Sequence, residues 1–190
     1  MKTLLTLFVL LCSSSVVAKD ISDFEIEGIS IGDSLLDYYT KDKILNNQQN
    51  WYDGDYYFAS LFNLNNSSIY DKLVVHYETN DSKFRVSEIE GILVYDQKIN
   101  QCNDDKDNIV KELSNSLLID KWEHGDYTDA DGRFTSSFYV FETGDAIGVQ
   151  CYDWDNTVEK LKNSEDDLRV IISSKEFEYW LKNIDDNLVN

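Results

Sequence analysis

The feature that most constrains this fold is the way its strand-like segments follow one another in runs. Three come together at residues 55–62, 70–78 and 83–95, and three more near 120–127, 133–142 and 145–153. In the second of these, Leu73, Val75 and Tyr77 alternate with Lys72, Val74, His76 and Glu78, the period of a half-buried strand. That alternation places His76 on the polar side. The third is long, and its apolar phase slips from Phe84 and Val86 to Ile89, Leu93 and Tyr95, so a bulge or bend is predicted between Ser87 and Gly91. The chain has no proline, so its turns, such as NLNNSS and TNDS, depend on Gly, Asn and Asp. Runs of consecutive strands argue for antiparallel sheet.

Helical spacing separates the runs. Ile31, Leu35 and Tyr39 recur at every fourth position, which predicts a helix over 33–45 capped by Asp33 or Ser30. A second is predicted over 104–118, with Ile109, Val110, Leu113 and Leu117 as its buried stripe. A loop of acidic and amide residues then leads to a strand at 168–173. The last helix is predicted to start at Ser173, which pairs with Glu176 in the form of a capping box. Its Phe177, Trp180, Leu181, Ile184 and Leu188 make the clearest amphipathic stripe in the chain. The predicted class is α+β, an antiparallel sheet with about three helices. The order helix-plus-three-strands occurs twice as a pattern, without a residue-level repeat. That pattern looks like small periplasmic binding and inhibitor modules and small outer-membrane assembly lipoproteins, an analogy that carries no function.

The N-terminus reads as an export signal. Lys2 precedes an apolar run from Leu4 to Leu11, three serines break it, and Val16-Val17-Ala18 suits a signal peptidase. The run is about half of the roughly 20 residues a membrane span needs. Lipoprotein processing at Cys12 needs a small residue before the cysteine, and Leu11 is not small. The expected organisation is a cleavable signal peptide at 1–18 and a single acidic domain at 19–190. Its destination is the periplasm or the medium.

Removing the signal takes away one lysine, so the chain's net charge of −19 becomes −20. Nucleic acid and anionic lipid surfaces need clustered Lys and Arg, which this chain lacks, so nucleic-acid binding is not expected. Cys12 leaves with the signal. Cys102 and Cys151 remain as an even pair in an oxidising compartment, and a disulfide is expected. The bridge would close a loop of about 50 residues, a contribution of about 4 kcal/mol in the chain-entropy description. It would pin the second helix to the second run of strands.

Catalytic signatures are missing: the chain has no nucleophile elbow, zincin, P-loop or dinucleotide fingerprint. Its two histidines, His76 and His124, read as surface residues without a catalytic partner, and no catalytic residue or cofactor is expected. The 36 acidic residues supply too many carboxylate pairs for any to be specific. Asp126, Asp129 and Asp131 before Gly132 resemble part of a calcium loop, but Tyr127 and Phe138 fall where that pattern needs oxygen ligands. An acidic hairpin turn is expected there, with calcium as the alternative. Trp51-Tyr52, Tyr56-Tyr57 and Tyr152-Asp153-Trp154 set aromatics beside acidic residues, a combination used either for packing or for sugar and cation binding.

The segments MKTLLTLFVLLCSSSVVAKDISDFEIEGISIGDSLLDYY, QCYDWD and LRVIISSKEFEYWL resemble a family of small secreted proteins from AT-rich marine alphaproteobacteria, across essentially the whole chain. IEGISIGDSLLDYY is the most specific block. The resemblance implies a bacterial source, hence unglycosylated sequons at Asn65, Asn66 and Asn80, and assigns no residue a role. The leading expectation is a non-catalytic binding module whose partner is a protein or an envelope ligand. The alternatives are a carboxylate-dependent hydrolase and an outer-membrane assembly factor.

Overall fold

The computed structural model describes residues 20–49, 51–52, 56–95, 98–119, 121–162 and 165–188. The segment read as a signal, with Cys12, lies outside them. The described residues build an α+β fold, an antiparallel sheet with helices, as predicted. A 3-10 turn at Ile21–Asp23 and another at Leu35–Asp37 lead into α1, Lys41–Asn46. Then come β1 (Gln48–Gln49), β2 (Tyr57–Asn63), β3 (Lys72–Glu78) and β4 (Val86–Val94), followed by α2, Ile99–Leu117. The second half contains β5 (Glu123–Thr128), β6 (Gly132–Val140), β7 (Ala146–Trp154), α3 (Asn156–Lys162), β8 (Asp167–Ser173) and α4 (Lys175–Leu188).

All eight strands form one antiparallel sheet in the order β1-β2-β3-β4-β8-β7-β6-β5. Each run of strands is a three-stranded meander, and the late strand β8 lies between them, paired to β4 on one side and β7 on the other.

The helix expected over 33–45 breaks into pieces. Asp33 accepts from the Ser30 amide and the Tyr38 hydroxyl, and the Leu35 amide donates to Phe84 O. Backbone and side chains there are committed to turn and tertiary bonds rather than to a helical ladder. Only α1 is α-helical there, started by Thr40, whose hydroxyl accepts from the Lys43 amide. Two elements were not foreseen. β1 is a two-residue strand between α1 and β2, and α3 lies in the stretch read as an acidic loop.

One face of the sheet is apolar. Leu73, Val75, Ile89, Leu168, Val170, Ile172, Ile147 and Val149 are buried there with Ile109, Leu113 and Leu117 of α2 and with Phe24, Ile26, Ile29, Leu35 and Ile44 from the N-terminal segment. A Cys102–Cys151 disulfide with a sequence separation of 49 fastens the first turn of α2 to β7.

The predicted bulge is present. Tyr77 faces Val86 and His76 faces Glu88, which leaves Ser87 as the extra residue of β4. Val86 therefore belongs to the apolar face, while Glu88 and Glu90 share the opposite face with His76. That second face is covered at one end by α4, whose Phe177 and Trp180 pack on Tyr57 with ring centroids 5.0 and 4.7 Å away. The cap of α4 is one residue later than predicted. Ser173 ends β8, and the hydroxyl of Ser174 accepts from the Phe177 amide. Ile184 and Leu188 of the predicted stripe lie outside the described side chains.

Candidate functional site

Alternation within β3, β4 and β8 sets up rows of side chains across the second face. His76, Glu88 and Ser173 form one row by direct cross-strand pairing, and Val74, Glu90 and Ile171 the next. Ile92 and Arg169 are opposite each other in the third. The first two rows are buried: His76 is 1 % exposed, Glu88 7 % and Glu90 6 %. The expectation of a surface His76 is thus corrected. Tyr52 and Phe177 cover it, with centroids 5.7 and 4.8 Å from the imidazole, and Trp51 lies at 6.1 Å.

Burial dominates the electrostatics. It lowers the His76 pKa to about 4, so the imidazole is neutral at pH 7. Burial raises Glu88 to about 8, with the Glu178 charge adding to the rise. Glu90 is also raised by burial, against the opposing pull of Arg169. Arg169 is held by charge. Burial disfavours its cation, but Asp167 and Glu90, then Tyr152, raise its pKa above the ordinary value. Its Nε and Nη2 donate to the two oxygens of Asp167 at 2.9 and 3.4 Å, its Nη1 donates to Glu90 Oε2 at 3.1 Å, and its guanidinium lies 4.0 Å over the Tyr152 ring. Three of its five N–H donors are taken by two carboxylates and its plane lies over an aromatic face, the arrangement arginine suits better than lysine.

His76 is held by Tyr52, whose hydroxyl shares a 3.2 Å hydrogen bond with Nε2. Its other nitrogen, Nδ1, is 3.0 Å from Glu88 Oε1 and 4.0 Å from Glu90 Oε1. The geometry at Nδ1 is not that of a hydrogen bond. Among the described residues, the buried side-chain polar atoms without a hydrogen-bond partner are His76 Nδ1 and Ser173 Oγ, which flank Glu88 in the same row. Ser173 opposes the rise in the Glu88 pKa by its proximity, but its hydroxyl lacks hydrogen-bond geometry to the carboxylate.

Beyond Arg169 the face opens into a cleft of about 620 Å³. Leu61, Val74 and Ile92 form its floor, while Trp51 and Trp154 belong to its walls. Polar groups at its edge are tied in pairs: Lys72 donates to Glu165 at 3.0 Å, and Asp167 grips Arg169. Trp154 is oriented by stacking on Tyr152 at 5.5 Å and by donating Nε1–H to Asp167 Oδ2 at 3.4 Å. The aromatic clusters noted in the sequence therefore divide. Tyr57 packs in the interior, whereas Trp51, half exposed at 50 %, and Trp154 face the cleft.

The calcium candidates lie in the β5–β6 hairpin, far along the sheet order from β3 and β4. Asp126 is forked to Arg133 at 2.7 and 3.0 Å, and Asp129 accepts from the Asp131 and Gly132 amides, closing the turn. His124 lies in the same hairpin, within 2.9 Å of Ser137 Oγ. Neither the carboxylates of the hairpin nor His124 join the buried row. Comparison of the chain with protein-family models, with curated proteins and with solved structures finds no match.

Proposed function

We propose that this chain is an exported, non-catalytic binding module whose cleft takes a short saccharide. The carrying observation is the pair Trp51 and Trp154 beside an apolar floor, with Asp167 and Arg169 locked at the margin. Flat indole faces stack on the C–H face of a pyranose ring, and fixed polar groups at the rim orient its hydroxyls, the usual division of labour in small-molecule sites. The volume is that of one or two sugar rings. Among the described residues, no helix is long and apolar enough to cross a membrane. The disulfide suits an oxidising compartment, in keeping with the leader-like N-terminus and with the resemblance to secreted bacterial proteins.

Hydrolysis is less well supported by this geometry. Its desolvated carboxylates, Glu88 and Glu90, do not line the cleft, and the two that do, Glu165 and Asp167, are engaged by Lys72 and Arg169. Calorimetric titration of a panel of envelope saccharides tests the reading. Expected is binding by at least one, weakened about 2–12-fold in Trp154→Ala, since one aromatic contact is worth roughly 0.5–1.5 kcal/mol. Binding unaffected by Trp51→Ala and Trp154→Ala, or none across the panel, would overturn it. Mass spectrometry of the exported form should find Lys19 at its N-terminus.

A further inference from the structure

The two buried rows beside the cleft are independent of what the cleft holds. We propose that His76, Glu88 and Glu90 bind one divalent transition-metal ion. Among the described residues, a single group of three His, Cys, Asp or Glu side chains brings its ligand atoms within 4.8 Å of one another, and it is this one. The atoms concerned are His76 Nδ1 and a carboxylate oxygen from each glutamate. Ligands about 2.0–2.2 Å from an ion, at right angles or in a tetrahedron, are separated from each other by roughly 3.0–3.5 Å. Nδ1 and Glu88 Oε1 already stand 3.0 Å apart, and Glu90 Oε1 must close from 4.0 Å by about half an ångström.

Four further observations point to an ion. First, Nδ1 is buried and has no hydrogen-bond partner, and Ser173 Oγ, across β4–β8 from Glu88, is in the same condition. Buried polar atoms are ordinarily satisfied, so an orphan Nδ1 set between two carboxylate oxygens marks a missing partner at that nitrogen. Second, the surroundings already have the form of an outer shell. Tyr52 engages the far nitrogen of the imidazole, and Arg169 holds Glu90 by Oε2, which leaves Oε1 towards His76. Ligating histidines and carboxylates are oriented in this way. Third, charge balances. With both glutamates ionised, they and Asp167 contribute three negative charges against one positive on Arg169, and a divalent ion brings the cluster to neutrality. Fourth, the chemistry is selective. An imidazole nitrogen with two carboxylates suits zinc, manganese or iron(II) better than calcium or magnesium, which prefer all-oxygen sites.

Zinc titration of the chelator-stripped, oxidised full-length secreted protein is the test, followed by calorimetry and elemental analysis. One equivalent is expected, with calcium and magnesium unable to compete at a hundredfold excess. Glu88→Gln, which preserves volume, should abolish stoichiometric binding, and Tyr52→Phe should weaken it about 10–100-fold. Should Glu88→Gln fail to fold, cobalt(II) bound to the wild-type protein serves instead. Its paramagnetism should shift or broaden the resonances of Tyr52 and Phe177, which flank His76. Zinc retained by a folded Glu88→Gln protein, cobalt effects confined to the β5–β6 hairpin, or no bound equivalent at all would overturn the proposal.

Discussion

The two faces of this sheet are made by the same strands and solve opposite problems. Under α2 the surface is dry and aliphatic, closed by a covalent bridge. Across the sheet, a neutral imidazole, two glutamates and an arginine–aspartate fork are buried among aromatic rings. The dry face contributes stability through area and packing, which are forgiving of detail. The charged face gains little from being buried, because desolvation offsets most of the Coulomb attraction. The contrast teaches that only one face is explained by folding. The other carries ionisable groups at a cost that a site would account for.

The largest effect is expected at Arg169. Arg169→Met leaves Glu90 and Asp167 without their counter-charge, and urea denaturation should show a loss of roughly 3–5 kcal/mol. A loss below that of an ordinary surface substitution would mean that the two faces are alike. On the dry face, replacing both Cys102 and Cys151 by serine should cost about 4 kcal/mol in the chain-entropy description, read from the same denaturation curves. Leu73→Ala, a fully buried side chain, should cost roughly 2–4 kcal/mol. Double variants sharpen the contrast. Leu73→Ala and Arg169→Met do not touch, so their effects should add to within about 0.5 kcal/mol, whereas Arg169→Met with Glu90→Gln should cost less than the two separately. Smallest is Asp126→Asn in the exposed hairpin, which should leave the melting temperature unchanged, with or without calcium.

The difference between the faces also decided what could be read from the chain. Leu73, Val75 and Tyr77, and Ile147, Val149 and Cys151, announce the dry face by alternation alone, and the cysteine pair follows from compartment and parity. The slip of phase in the third segment located the Ser87 bulge. His76, Glu88 and Glu90 were hidden by the same rule, because polar residues alternating with apolar ones ordinarily face water. Their burial depends on Tyr52, Phe177 and Trp180, which come from distant stretches, and only the amphipathic final helix hinted that the second face needed a cover. The broken first helix was illegible for a related reason. Its apolar spacing is helical, but its backbone groups are spent on Phe84 and on local turns. Trp154 stood beside carboxylates in the sequence, yet nothing there assigned it to a cleft wall rather than to the interior.

The place of β8 has a consequence for how the chain must be made. The meanders β2-β3-β4 and β5-β6-β7 are joined through a strand that ends at Ser173, close to the C-terminal helix. Until that stretch has been synthesised and delivered, β4 and β7 present open edges of unpaired backbone, the surfaces on which strands from other molecules add. Closure joins segments far apart in sequence, a slow kind of folding. Such a topology favours a route in which the sheet assembles in one step, after both meanders and β8 have been made. It also makes premature termination before Asp167 hazardous, because it leaves the edges of β4 and β7 both open.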